Sequence, residues 1–259
     1  REAVLVSTAR TPIGKAYRGA FNDTSAPELG GHAISHAVKR AGIDPAEIDD
    51  VVMGCAMQQG SSGRNPARNS LIRAGIPASV AGMSMDRQCA SGMMAIATAA
   101  KQIISDGMTV TVGGGLESIS LEHMNNHRAA DPWIKANKPD LYMSMLETAE
   151  IVADRYGITR EAMDEYSAQS QARTHSAQEA GRFNDEIVPL PSTMKFFNKE
   201  TKEVTDIDVT LEKDEGNRPG TSAENLAGLR TVFNDGMKVQ EGKFITAGNA
   251  SQLSDGASA

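Results

Sequence analysis

A cysteine at the predicted start of a helix is the side chain of this sequence with the clearest capacity for covalent chemistry. Cys89 follows a strand-like segment at residues 83–87 and precedes a helix-like segment at 90–104 that is rich in small residues. Amide hydrogens and the positive end of the dipole at a helix start favour a thiolate over a thiol, and they can hold a developing oxyanion. The position therefore predicts a nucleophile. A buried, unreactive thiol is the alternative, because cysteine is often a small core residue.

The segments around Cys89 alternate between strand and helix patterns. Short apolar runs predict strands at residues 4–7, 51–53, 83–87 and 109–112. Apolar spacing from Ser25 onward predicts a helix that ends at Gly42. Strand, helix and strand in succession favour a parallel sheet covered by helices. Residues 113–115, three glycines, are interpreted as a tight turn, because no Lys-Ser or Lys-Thr follows them as a phosphate-binding loop requires.

The pattern changes after about residue 119, where a stretch without a clear period extends to residue 140. Further on, helices are predicted near 144–156 and 159–181, and a hairpin with strands at 194–197 and 204–209. Residues 119–244 are interpreted as an inserted lobe. Residues 244–246 are predicted to form a strand that returns to the first sheet.

Five separated segments resemble motifs of the thiolase family, which includes acetyl-CoA acetyltransferases and 3-ketoacyl-CoA thiolases. They are Arg10-Thr11-Pro12-Ile13-Gly14, Cys89-Ala90-Ser91-Gly92, Gly113-Gly114-Gly115-Leu116-Glu117-Ser118, the stretch from Gly181-Arg182-Phe183 to Pro189, and Thr246-Ala247-Gly248-Asn249-Ala250-Ser251 with Asp255-Gly256-Ala257. The resemblance covers essentially the whole chain. It implies a layered α/β fold: a core domain at 1–118 with a mixed, mainly parallel sheet around a buried helix, an inserted α+β loop domain at 119–244, and a return to the core at 245–259.

The resemblance also implies an acyltransferase. Such an enzyme cleaves 3-ketoacyl-CoA with coenzyme A, or condenses acetyl-CoA in the reverse direction, through an acyl-Cys89 intermediate. Coenzyme A and acyl-CoA are then substrates, and neither a permanently bound cofactor nor a metal is expected. Because the family forms dimers and tetramers, a homodimer or homotetramer is expected.

Four positions are assigned to substrate binding by resemblance. Arg218 corresponds to a cation that meets the nucleotide end of coenzyme A, although a solvated loop charge is an equally simple interpretation. Ala247 and Ser251 correspond to residues of the pantetheine channel, and Met145 to a residue that borders the acyl pocket.

This sequence departs from the family pattern nearby. Asn225 stands where a Ser is common, Gln252 where a Gly is common, and Ser144 with Leu146 differs from the usual residues around Met145. Ser144 and Asn225 are kept as candidate binding residues, and the acyl-chain preference is left open.

Three family motifs are missing from these 259 residues: the base His of a Gly-His-Pro motif, the second Cys of a Cys-x-Gly motif, and an Asn that orients a catalytic water. We hypothesise that the chain is the nucleophile-bearing part of a longer enzyme and needs the C-terminal half for full activity. Two alternatives stay open. One is a noncatalytic acyl-CoA-binding or assembly module, and the other is a condensing enzyme that acts on acyl carrier protein.

Composition excludes several other classes. The formal net charge of −7 argues against nonspecific nucleic-acid binding, and no apolar run approaches the roughly 20 residues of a membrane span. Because the N-terminus lacks signal-peptide features, a cytoplasmic location is expected, although a trimmed targeting segment before Arg1 stays open. With only two cysteines, no disulfide framework is expected. The pairs His32/His36 and His123/His127 have a spacing that suits zinc but lack a third ligand.

Overall fold

A computed structural model of the protein describes residues 1–122 and 130–259. These residues form two compact units. The first comprises the described residues of Arg1–Asn126 together with Phe183–Gly216 and Gln252–Ala259, and the second comprises the described residues of His127–Arg182 together with Asn217–Ser251. His123 and His127, one of the two histidine pairs considered above, lie outside the described residues.

The first unit is built on a five-stranded sheet. Its strands are β1 (Gly14–Lys15), β2 (Asp50–Gly54), β3 (Ala81–Met85), β4 (Thr111–Ser118) and, numbered last in the chain, β7 (Ser254–Ser258). The order across the sheet is β1-β7-β4-β2-β3. β2 pairs in parallel with β3 and β4, whereas β7 is antiparallel to β4 and β1, so that four strands share one direction and β7 opposes them. The sheet is therefore mixed and mainly parallel.

Four helices belong to the same unit: α1 (Ala26–Ala41), α2 (Pro66–Arg73), α3 (Ser91–Ser105) and α4 (Ile119–Glu122). α1 follows the prediction, because its buried face repeats at the helical period and Gly42 ends it in the left-handed conformation with φ of 68°. α3, the helix that was expected to be buried, buries one face and leaves Met93 77% exposed.

Two strands form the hairpin of the first unit, β5 (Leu190–Phe197) and β6 (Val204–Leu211), which pair antiparallel along their whole length. The predicted hairpin is confirmed. The sequence placed it within the range 119–244 of the inserted lobe, whereas in the structure it belongs with the first unit.

The second unit contains α5 (Pro132–Asn137), α6 (Met145–Tyr156), α7 (Arg160–Glu179) and α8 (Ala223–Ala227). The two long helices, α6 and α7, lie where they were predicted. Their start signals are local, since Ser144 and Thr159 each accept a hydrogen bond from an amide of the first turn. Within the described ranges, no helix combines the length and the hydropathy needed to cross a membrane.

The predicted strand at residues 4–7 is wrong. Val4, Leu5 and Val6 are 72%, 82% and 75% exposed and belong to no strand. Pairing begins only at Ala9, whose N–H and C=O bond with Ala259. An apolar run by itself does not make a strand, because the backbone N–H and C=O groups of a strand need a second strand alongside.

The predicted return strand at residues 244–246 is also wrong. Thr246 forms an isolated bridge with Thr231 inside the second unit, and β7 is the strand that joins the first sheet. The physical reason is that the Phe244 and Ile245 amides donate to the carboxylate of Glu150, which leaves them no part in a strand ladder.

Candidate active site

Cys89 lies in the turn between β3 and α3 and is exposed. The structure thus rules out the alternative of a thiol buried in this chain. The other cysteine, Cys55, follows β2 directly and is fully buried. The two thiols therefore occupy opposite environments.

Side-chain hydrogen bonds fix the backbone on both sides of Cys89. Asp86 Oδ1 accepts the Gln88 amide at 2.7 Å, and Gln88 takes a left-handed φ of 51°. The buried Ser91 Oγ accepts the Arg87 amide at 2.8 Å and donates to the Gln88 carbonyl at 2.6 Å. Sequence reasoning treated Ser91 only as a small residue, whereas its hydroxyl closes the turn that presents the thiol.

Glycines of the sheet allow the start of α3 to lie directly on the backbone of two strands. A Cβ on Gly54 of β2 would lie 2.1 Å from the Ser91 carbonyl carbon, and one on Gly113 of β4 would lie 2.8 Å from the Ile96 Cα. Gly115 faces Gly92 in the same way, at 3.2 Å. The three glycines at 113–115 lie inside β4, so the predicted turn is wrong. Gly113 and Gly115 are needed because α3 approaches closely, and Gly114 because a Cβ there would lie 2.2 Å from the Ser258 carbonyl oxygen of β7.

Cys55 is held in its protonated form. Its thiol donates to Glu117 Oε1 at 3.5 Å, and the Glu117 carboxylate also accepts the Ala56 and Met57 amides at 3.0 and 2.9 Å. Burial, with the negative charge of Glu117 second, raises the pKa of Cys55 to about 12. Cys55 is therefore a packed, unreactive residue of the core.

Six predicted binding residues belong to the second unit, whereas Cys89 belongs to the first. At the start of α6, Ser144 Oγ accepts the Glu147 amide at 3.1 Å, and Met145 is 79% exposed. Arg218 is exposed, its amide donates to Gln171 Oε1 at 2.9 Å, and its guanidinium contacts no acid among the described residues.

The elements that carry Asn225 and Ala247 are in contact within the second unit. Asn225 is exposed on α8, and Ala247 is exposed in the turn that ends near the exposed Ser251. A Cβ on Gly248 would lie 2.4 Å from Leu226 Cδ2, so the turn rests on α8. The turn that carries Ala247 thus packs against α8, the helix that carries Asn225.

Arg160 and Asp164 of α7 hold α8 and this turn in place. Arg160 donates to the Leu226 carbonyl at 2.6 Å and to Asp164 at 2.7 Å, and Asp164 accepts the side-chain amide of Asn249 at 3.0 Å. Since Leu226 belongs to α8 and Asn249 to the turn, this one ion pair connects both elements to α7.

Two buried glutamates of α6 were not assigned a role from the sequence. Glu150 accepts the amides of residues 243–245 at 2.8 to 3.2 Å, and Glu147 accepts those of Lys238 and Val239. Burial of Glu147 opposes its ionisation, but these backbone N–H groups lower its pKa below the ordinary value.

The remaining histidine pair does not form part of a larger ligand group. The His32 and His36 rings are 4.6 Å apart, and His32 Nε2 lies 3.3 Å from the Val188 carbonyl. In the ranges that the structure describes, no three or more His, Cys, Asp or Glu side chains come together in a way that would hold a metal ion.

Comparisons with known proteins agree with the geometry. The family model described as "Thiolase, N-terminal domain" matches residues 3–259. The 3-ketoacyl-CoA thiolase of Bacillus subtilis (strain 168) is 39% identical over 261 residues, covering 100% of this chain and 65% of the relative. The acetyl-CoA acetyltransferase of Rhizobium meliloti (strain 1021) is 38% identical over 268 residues, covering 99% of this chain and 64% of the relative.

A solved structure gives the same result for the fold. The crystal structure of the Bacillus anthracis acetyl-CoA acetyltransferase is similar with a TM-score of 0.79 at 36% sequence identity, covering 99% of this chain and 64% of that chain. This confirms the predicted thiolase-like α/β fold. The chain spans slightly less than two thirds of the length of these relatives. Because the family model matches nearly every residue, the chain belongs to the thiolase family.

Proposed function

We propose that the protein transfers acyl groups to and from coenzyme A through Cys89. The reaction is thiolytic cleavage of a 3-ketoacyl-CoA or the reverse Claisen condensation of acetyl-CoA, in fatty acid metabolism. The observation that supports it is an exposed thiol at the start of a helix in a chain related to a 3-ketoacyl-CoA thiolase and an acetyl-CoA acetyltransferase.

In the condensation direction, the acylation step requires only a thiolate and the thioester of acetyl-CoA. The Cys89 sulfur attacks the thioester carbonyl carbon, a new carbon–sulfur bond forms, and the bond to the coenzyme A sulfur breaks. Coenzyme A leaves as a thiolate that takes up a proton. Apart from the Ser91 amide, which donates to the Gln88 carbonyl at 3.0 Å, the first-turn amides of α3 have no partners inside the helix, which suits them to stabilise the oxyanion of the tetrahedral intermediate.

The second unit supplies the substrate contacts in this proposal. Arg218 meets the nucleotide end of coenzyme A, Ala247 and Ser251 meet the pantetheine arm, and Asn225 lies beside that turn on α8. Ser144 and Met145 at the start of α6 border the acyl group. Their exposure supports the assignment, since a ligand must reach them. A homodimer or homotetramer in the cytoplasm belongs to the same proposal.

The test is acetylation of the purified protein by acetyl-CoA, followed by mass spectrometry of the peptide that contains Cys89. We expect one acetyl group on that peptide, retained in Cys55→Ala and lost in Cys89→Ala. Coenzyme A binding without any adduct would instead support a noncatalytic binding module. Labelling by acetyl-acyl carrier protein alone would support a carrier-protein condensing enzyme.

A further inference from the structure

The backbone that leads into Cys89 is held by one buried hydroxyl group of α3. Ser91 Oγ donates to the Gln88 carbonyl oxygen at 2.6 Å, and the Ser91 amide donates to the same oxygen at 3.0 Å. The hydroxyl also accepts the Arg87 amide at 2.8 Å, and Ser91 is only 5% exposed. One side chain thus binds two of the three peptide groups that precede Cys89, those at 86–87 and 88–89.

The peptide group between these two is bound by a second side chain. Asp86 is exposed, and its Oδ1 accepts the Gln88 amide at 2.7 Å. Each of the three peptide groups before Cys89 therefore has a side-chain hydrogen bond. We call Asp86 and Ser91 the turn clamp. All the residues of the clamp and of the turn belong to the first unit.

The turn clamp keeps Gln88 in a conformation that residues other than glycine seldom adopt. Its φ is 51°, and in this left-handed region the Cβ of an L-residue crowds its own backbone. Rotation to a negative φ would relieve the crowding and redirect the Gln88 carbonyl. That rotation would also break the hydrogen bonds of the clamp, so the clamp determines the direction of the peptide group that joins Gln88 to Cys89.

The direction of the Cys89 amide follows from the same contacts. The described part of the chain contains no cis peptide bond, and in a trans peptide the N–H points opposite to the C=O. Since the Gln88 carbonyl is directed at Ser91 in the first turn of α3, the Cys89 N–H points away from that turn. An amide on the nucleophilic residue itself is well placed for an oxyanion, because the carbon that carries the oxyanion is bonded to the sulfur of the same residue.

We propose that Asp86 and Ser91 are positioning residues for acyl transfer, an inference that rests on the nucleophilic role of Cys89 in the proposed function. Neither side chain touches the acyl group. They hold the peptide between Gln88 and Cys89 so that the Cys89 amide donates to the oxyanion that forms when the sulfur attacks an acyl carbonyl.

Two small reagents that react with Cys89 separate this role from access to the thiol. The sulfur is acylated by p-nitrophenyl acetate through a tetrahedral oxyanion, and the released p-nitrophenolate is followed by absorbance. Iodoacetamide alkylates the same thiolate by displacement at a tetrahedral carbon, which creates no oxyanion. Both reactions need the thiolate and an open path to it, so the ratio of the acylation rate to the alkylation rate reports stabilisation of the oxyanion. Cys89→Ala supplies the background for both rates.

The two alanine variants of the clamp should lower this ratio. We expect a fall of about tenfold in Ser91→Ala, which loses buried hydrogen bonds, and of about threefold in Asp86→Ala, which loses an exposed one. Asp86→Asn keeps the Oδ1 acceptor and should retain the wild-type ratio. Ser7→Ala removes another hydroxyl of the first unit, which donates to the Ala37 carbonyl at 2.8 Å, and should also retain it.

An equal fall of both rates in Ser91→Ala would show that the thiol has only lost its access, and this would overturn the inference. A wild-type ratio in either folded alanine variant would overturn the role of that residue, and a fall in Asp86→Asn would assign the effect of Asp86 to its charge. Because Asp86 is exposed, Asp86→Ala serves as the test if Ser91→Ala does not fold. If p-nitrophenyl acetate acylates Cys89 as expected but acetyl-CoA never does, the positioning role stands and the proposed function fails.

Discussion

The two cysteines of this chain should differ in reactivity by orders of magnitude, and this difference is measurable without any knowledge of the substrate. Burial and the Glu117 charge raise the pKa of Cys55 from an ordinary value of 9.0 to about 12. At neutral pH the thiolate fraction of Cys55 is then lower than that of an ordinary thiol by about a thousandfold, since each pKa unit is a factor of ten. Its complete burial adds a requirement for local opening before any reagent can reach the sulfur.

The assay follows the release of thionitrobenzoate when native protein is mixed with an aromatic disulfide reagent. One thiol should react within the dead time or the first seconds, and the second only after denaturant is added. Cys89→Ala should abolish the fast phase, whereas Cys55→Ala should keep it and lose the slow one. Two fast equivalents in the wild type, or a fast phase that survives in Cys89→Ala, would refute the reasoning about both environments.

Three further outcomes are expected. Gly54→Ala should displace the start of α3, slow the labelling of Cys89 and lower the free energy of unfolding by about 1–3 kcal/mol. Gly92→Ala should leave both the labelling rate and the free energy of unfolding unchanged, because a Cβ there meets nothing nearer than 3.8 Å. Stopped-flow labelling measures the first quantity and urea titration the second. Glu150→Ala leaves three amides without their acceptor and should destabilise the protein by about 3 kcal/mol or more in the same titration. Because the folded-state pKa of Cys55 is raised, its contribution to stability is complete below pH 9.0 and is lost as the pH rises through about 12. Between these two pH values, the free energy of unfolding should fall more steeply in the wild type than in Cys55→Ala.

Elements with local signals were predictable from the sequence. α1 has a helical apolar period and a glycine end, and α6 and α7 each begin at a capping hydroxyl, so that the chain needs no distant partner to specify them. The place of Cys89 at a helix start followed from the same kind of information, because a strand-like run and a small-residue run meet there.

Elements that depend on a distant partner were not predictable in this way. Residues 4–7 and 244–246 have the composition of short buried strands, but one has no partner strand among the described residues and the other is bonded to a carboxylate of α6. The glycines at 113–115 illustrate a second limit. A tight turn and a close helix contact both require a residue without a Cβ, and only the position of α3 distinguishes them.

The buried glutamates were missed for a related reason, since an acid in a sequence usually indicates a solvated surface. Here the buried Glu147 and Glu150 accept two and three backbone amides, respectively, and the half-buried Glu117 accepts two, in each case from a segment that has no regular hydrogen-bond ladder of its own. A segment that must present side chains to a substrate is seldom free to pair as a strand, and its amides still need acceptors. A carboxylate on a helix or a strand supplies those acceptors from one side of the segment and leaves the side chains on its other side exposed. The fixed but irregular loops of this chain are thus a consequence of where its acids lie, and acid-to-alanine changes should loosen them while the helices and the sheet remain folded.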